Sequence, residues 1–114
     1  MRALRGADLR QTRVLLHALC SMRLELSAQR APWCALTLES RRTATMALWQ
    51  NRPREIFTRP DVESGIEARL DAAFVHAHAG CAREAASELK RAYLLLCCVL
   101  THARDEARAG RGGR

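Results

Sequence analysis

The side chains best able to do chemistry gather late in the chain: His76, His78, Cys81, Cys97, Cys98 and His102. His78 and Cys81 stand at i,i+3 and Cys98 and His102 at i,i+4, spacings that put each pair on one face of a helix. Imidazole and thiolate are the ligands of tetrahedral zinc, so two such pairs would complete a Cys2His2 set if they met. The sequence between them opposes that meeting. Arg83-Glu84-Ala85-Ala86-Ser87-Glu88-Leu89-Lys90 consists of helix formers without a turn signal, and a continuous helix would hold Cys81 and Cys98 ~25 Å apart. No metal and no cofactor is expected. Cys97-Cys98 lies in an apolar run, where burial raises a thiol pKa, so both are read as small core hydrophobes rather than a reactive vicinal pair.

Catalytic constellations are equally hard to assemble. The chain has no Gly-x-Ser-x-Gly elbow, no Gly-rich phosphate loop and no carboxylate pair in an apolar setting. Glu39, Glu63, Glu67, Glu84 and Glu88 read as solvated helix residues, and an enzyme is not expected. Basic residues are more prominent: Lys+Arg is 19 against 12 Asp+Glu, a net charge of +7, and all but Lys90 are arginine. Arg41, Arg42, Arg52, Arg54 and Arg59 give a local excess of +4 once Glu55 is subtracted, a patch suited to phosphates. Yet the arginines are spread along the whole chain, no aromatic platform accompanies them, and abundant Ala beside them points to a G+C-rich coding bias. A small basic bundle that binds nucleic acid is therefore the second reading.

The elements that must position these groups are helical. In 114 residues, 48% are hydrophobic but only 4% aromatic, so the core must come from Leu, Ala, Val, Met and Cys. Six Gly and three Pro are too few to punctuate an all-β domain. Five cysteines without regular spacing argue for reduced thiols rather than a disulfide framework. His17 interrupts the short apolar run of the basic N-terminal segment, so no signal peptide is read there, and Ala92 to Leu100 is about half of the ~20 residues a membrane span needs. A cytoplasmic protein without a membrane partner is expected.

The first helix is predicted over about residues 8–29, with Asp8 as N-cap and Leu15, Leu19, Met22 and Leu26 as its apolar stripe. Ala31-Pro32 stops it, and Pro32 opens a second helix over about 32–51. That helix has an expected inward face of Trp33, Leu36, Ser40, Thr43 and Ala47, with Leu48 beside it. After a loop to Pro60, two starts compete, Thr58-Arg59-Pro60-Asp61 and the capping-box spacing Ser64-Gly65-Ile66-Glu67. The long third segment, about 62–106, carries Ile66, Leu70, Ala73 and Ala77 and then Leu89, Ala92, Leu96, Val99 and Ala103. Gly80 is the natural place for a bend or break, and 107–114 is a basic tail. The fold class is all-α: an antiparallel bundle of three helices, or four if Gly80 divides the last. Leu94 to Leu100, apolar all round, belongs either inside the bundle or under a second chain.

The segment from Leu15 to Gln50 resembles the flagellar type III export chaperones of the FliT type. An amphipathic helix, a break, and then Trp33-Cys34-Ala35-Leu36-Thr37-Leu38-Glu39-Ser40-Arg41-Arg42 carry the likeness. The resemblance implies a small helical chaperone that holds a flagellar or type III secretion client before export, the filament-cap protein in that family. Some members also restrain the flagellar master transcription regulator. The function expected first is thus a non-enzymatic, export-chaperone-like adaptor that takes a client's amphipathic helix into a groove between the second and third helices. Its candidate contacts are Trp33, Leu36, Leu70, Phe74 and Leu96, with Arg41 and Arg42 as rim charges. A homodimer or self-associating structural subunit, buried through the apolar C-terminal helix, is the third reading.

Overall fold

The computed structural model describes residues 6–28 and 33–112, with side chains to residue 109. Four helices follow one another: α1 Gly6–Ala28, α2 Ala35–Gln50, α3 Pro60–His78 and α4 Ala82–Gly112, with a single 3-10 turn at Arg54–Ile56 before α3. Among the described residues there is no strand. Cross-helix bonds give the direction of each pair. On α1 and α2, Gln11 reaches the Asn51 carbonyl and Glu25 meets Arg41. On α2 and α3, Trp49 reaches Glu67; on α3 and α4, Arg69 reaches Glu88. Trp49 in the last turn of α2 meets the first half of α3, and Arg69 meets the early part of α4 beyond the tight reversal at residues 79–81, so the chain runs up, down, up, down. The last helix closes the ring by packing along α1 as well as α3, while α2 sits more lightly against α1 and α3. The molecule is elongated, 55 × 23 × 19 Å, because α4 alone has 31 residues.

The apolar stripes of α1, α3 and α4 form the centre. Leu15, Leu19, Met22 and Leu26 of α1 are all buried, as are Ile66, Leu70, Ala73, Phe74 and Ala77 of α3. From α4 come Ala85, Leu89, Ala92, Leu96, Leu100 and Ala103, with Val99 partly buried. Burying each Leu or Ile contributes ~1.5–3 kcal/mol, and the interleaved alanines let the helices approach closely. The apolar run Leu94 to Leu100 needs no second chain to cover most of it. Facing α1 and α3 at once, α4 buries Leu96 and Leu100 and partly buries Leu95 and Val99; Leu94 stays 51% exposed.

The third segment is two helices. Gly80 has φ of +80°, the left-handed conformation that glycine adopts without steric cost. The Cys81 amide donates to the His76 carbonyl at 2.8 Å and the Gly80 amide to Ala77 at 3.1 Å, the paired bonds of a Schellman end. The chain therefore reverses at Ala79–Cys81. Of the two predicted starts for α3, the earlier one is used: Pro60 occupies the first turn, followed by Asp61 and Glu63 at the positive end of the helix dipole. Asp8 lies within α1 rather than capping it, and its carbonyl accepts from Thr12 Oγ1 at 2.8 Å. The stop at Ala31-Pro32 and the end of the basic tail lie outside the described residues.

The predicted inward face of α2 is corrected. Its buried residues are Leu38, Thr45 and Trp49, whereas Leu36 is 84% exposed. Trp33 precedes the helix and does not set its inward face: Cys34 is extended, with φ −69° and ψ 163°, and the helix begins only at Ala35. Leu38, Thr45 and Trp49 then lie one and two turns apart on the side facing α1 and α3.

Candidate functional site

The light seating of α2 leaves an open groove between it and α3. Leu38, Met46, Phe74 and Val75 supply its apolar lining, and Glu39, Arg42, Gln50, Asp71 and His78 its polar edge. Its volume is about 540 Å³. From Leu38 to Gln50 the groove follows α2 for ~18 Å, the length of about three helical turns. Val75 contributes the most exposed apolar surface, being 67% accessible. The edge carries both signs of charge, and its most basic member is already engaged: Arg42 is bonded to Glu39 one turn away.

The expected contact residues separate into three groups. Phe74 and Arg42 line this groove. Leu70 and Leu96 have no accessible surface, so a partner on the folded bundle cannot touch them; they belong to the intramolecular core. Trp33, Leu36 and Arg41 lie outside the groove's lining. Trp33 is buried, with Nε1 lacking a hydrogen-bond partner among the described residues, and Arg41 turns towards α1. There its guanidinium forks onto Glu25, Nε to Oε1 at 3.1 Å and Nη2 to Oε2 at 2.8 Å. This bond, helped by the nearby Trp33 N–H dipole, holds the Glu25 carboxyl below its ordinary range. Leu38 and Met46 lie off the face expected of α2, and Val75 lies off the Ile66–Leu70–Ala73–Ala77 stripe of α3, so spacing alone does not single them out.

The basic patch read from residues 41–59 is largely cancelled by the fold. Arg41 pairs with Glu25, Arg42 with Glu39, Arg52 with Glu63 and Arg59 with Asp61. Four of the five arginines are thus paired, and Glu55 adds a further negative charge to the region. Arg52 is the most deeply set. Its guanidinium lies 3.9 Å from the Trp49 ring centroid and 5.5 Å from that of Phe57, and its Nη1 donates to the Trp49 carbonyl at 2.9 Å. Trp49 in turn meets Phe57 edge-on at 5.5 Å and donates Nε1–H to Glu67 at 2.9 Å. This assembly ties the loop to the foot of α2 and is a structural clamp.

The histidines and cysteines stay dispersed. Cys98 and His102 border a pocket of about 220 Å³ with Ile56, Phe57, Val62 and Val99, in the middle of α4 and several turns from Cys81. Because α4 is continuous, the ~25 Å separation of Cys81 and Cys98 holds. Among the described residues no three His, Cys, Asp or Glu side chains are grouped to hold a metal ion. His102 faces Glu106 at 3.6 Å, an ion pair only when the imidazole is protonated. Among the described residues no helix is long and apolar enough to cross a membrane.

Fold and groove together define an all-α four-helix bundle with one half-open side. Comparison with protein-family models, with curated proteins and with solved structures returned no match.

Proposed function

We propose that this chain is a non-enzymatic helical protein-binding module, an export-chaperone-like adaptor of the cytoplasm that holds an amphipathic helix of a client. The observation that carries the reading is the α2–α3 groove. It offers apolar lining from Leu38, Met46, Phe74 and Val75 over about three turns, the dimensions of a single helix face presenting residues at i, i+3/i+4 and i+7. Glu39, Asp71, Arg42 and His78 along the edge suit a client whose flanking positions carry both signs of charge. The resemblance of residues 15–50 to flagellar export chaperones supplies the class of client, a flagellar or type III secretion component. The cancellation of the 41–59 patch by its own carboxylates favours this reading over nucleic acid at that surface.

The test is capture of partners from host cells by the wild-type chain and by a Met46→Glu/Val75→Glu variant, read by mass spectrometry. The wild type is expected to retain a secretion or flagellar component and the variant to lose it. A Val14→Glu control, altering an exposed apolar residue on α1, is expected to keep it. Equal retention by both variants would remove the groove from the mechanism. Recovery of no secretion component would remove the client class.

A further inference from the structure

The cations of this protein are sorted by the fold. Arg41, Arg42, Arg52, Arg59 and Arg69, on α2, the loop and α3, are matched by carboxylates, whereas three cations that share one surface on the opposite side of the bundle are not. Arg23 of α1 and Arg83 and Lys90 of α4 border one trough, of about 500 Å³, between the last turns of α1 and the first turns of α4. None of the three makes an ion pair among the described residues. The acidic groups nearest in sequence are committed elsewhere or lie outside the lining. Glu25 faces Arg41 on α2, Glu88 faces Arg69 and Arg91, and Glu84 is not part of the trough.

We propose that this α1–α4 trough binds a small ligand bearing two or three linked phosphate groups. Three like charges around one concavity repel one another, and a polyanion that enters relieves that repulsion while gaining charge-assisted hydrogen bonds. Ser27 and Ser87 add hydroxyl donors at the same wall, one from each helix. Leu26, Ala82 and Ala86 complete the lining, and the two alanines leave room for close approach to the α4 backbone. Arg83 and Lys90 lie ~10 Å apart along α4 by helical rise, a span that their long side chains can close around linked phosphates but that one phosphate does not fill. The lining holds no aromatic ring on which a base could stack, so recognition rests on the phosphates. The site lies across the bundle from the α2–α3 groove and does not depend on the function proposed for that groove.

The experiment is calorimetric titration of the full chain with sodium tripolyphosphate, with orthophosphate and a 12-nucleotide single-stranded RNA as parallel arms. One saturable tripolyphosphate site is expected, weakening as salt rises. Arg83→Glu/Lys90→Glu is expected to weaken it at least ~30-fold, since two charge-assisted contacts become repulsions. Arg10→Glu/Arg13→Glu makes the same change in net charge on exposed positions outside the trough and is expected to weaken binding less than ~3-fold. Circular dichroism of each variant checks that helicity is kept, and Arg83→Gln/Lys90→Gln replaces the first variant if it is not. Equal weakening by the two double variants, absence of saturation, or orthophosphate binding as tight as tripolyphosphate would overturn the proposal. So would RNA that binds more tightly and responds equally to both variants, which would reveal diffuse attraction to a basic chain.

Discussion

Replacing Arg52 by alanine is expected to destabilise the bundle far more than any ordinary surface arginine would. The side chain is 13% exposed and its partner Glu63 21%, so the ion pair is only partly screened by water. Three contributions are lost together: the stack on Trp49 at 3.9 Å, the bond to the Trp49 carbonyl at 2.9 Å, and the fork onto Glu63. A partly desolvated cation–π contact is worth ~1–2 kcal/mol and a hydrogen bond from a charged donor ~1.5–3 kcal/mol. Because these share one guanidinium they do not add fully, and an overall loss of ~2–4 kcal/mol follows. In a domain of 114 residues that lowers Tm by roughly 8–15 °C. Arg52→Lys keeps the charge but not the planar fork and is expected to recover less than half of the loss. The assay is urea unfolding followed by circular dichroism, with a double-mutant cycle adding Glu63→Gln. A coupling energy of ~1 kcal/mol or more is expected for a part-buried forked pair. A coupling below ~0.3 kcal/mol, or an Arg52→Ala cost below ~0.5 kcal/mol, would refute the clamp.

Gly65, within α3, and Gly80, between α3 and α4, should respond in opposite directions. Gly65→Ala places a Cβ at ordinary contact, 3.6 Å from Leu95 Cδ1, and should stabilise by up to ~1 kcal/mol, whereas Gly80→Ala at φ +80° should destabilise by ~1–2 kcal/mol in the same urea assay. Cys34 caps α2 and is exposed; a hydrogen bond from Thr37 at 3.3 Å and nearby amides lower its pKa, so it should be the cysteine alkylated fastest near neutral pH, and Thr37→Val should slow it in a mass-resolved iodoacetamide time course. Arg41 depresses the Glu25 pKa, so its stabilisation is present above the ordinary carboxylate range and is lost as pH falls through the lower, folded value; acid titration should loosen α2 from α1, and Glu25→Gln should flatten that pH dependence.

How much could be read in advance differed sharply between helices. In α1, α3 and the middle of α4 the large aliphatic residues recur at three and four, so the stripe and the buried face coincide. The reversal after α3 was legible in Gly80, whose lack of a side chain permits the left-handed turn. In α2 the apolar residues are few and small, and one step of register moves every assignment. Counting from Trp33 put Leu36 inside; the helix begins at Ala35 and turns Leu36 to water. An open groove lies between α2 and α3, but Leu70 and Leu96, expected to line it, are fully buried, and Leu38, Met46 and Val75, which do line it, are absent from the expectation. The arginine pairings were hidden for another reason. Glu25 and Arg41, or Arg69 and Glu88, are 16 and 19 residues apart, and only the packed registers of two helices bring such partners together.

Both tryptophans of the chain stand at the ends of α2, Trp33 just before it and Trp49 in its last turn. Intrinsic fluorescence therefore reports almost exclusively on the helix that borders the open groove, while far-ultraviolet dichroism is dominated by the other three. Each indole also has its own local influence: Trp33 lies beside the Glu25 carboxylate, and Trp49 lies beneath the Arg52 guanidinium. Trp33→Phe and Trp49→Phe would resolve the two signals. Any movement of α2, whether on heating or when a partner helix enters, would then be visible optically at each end without attaching a dye.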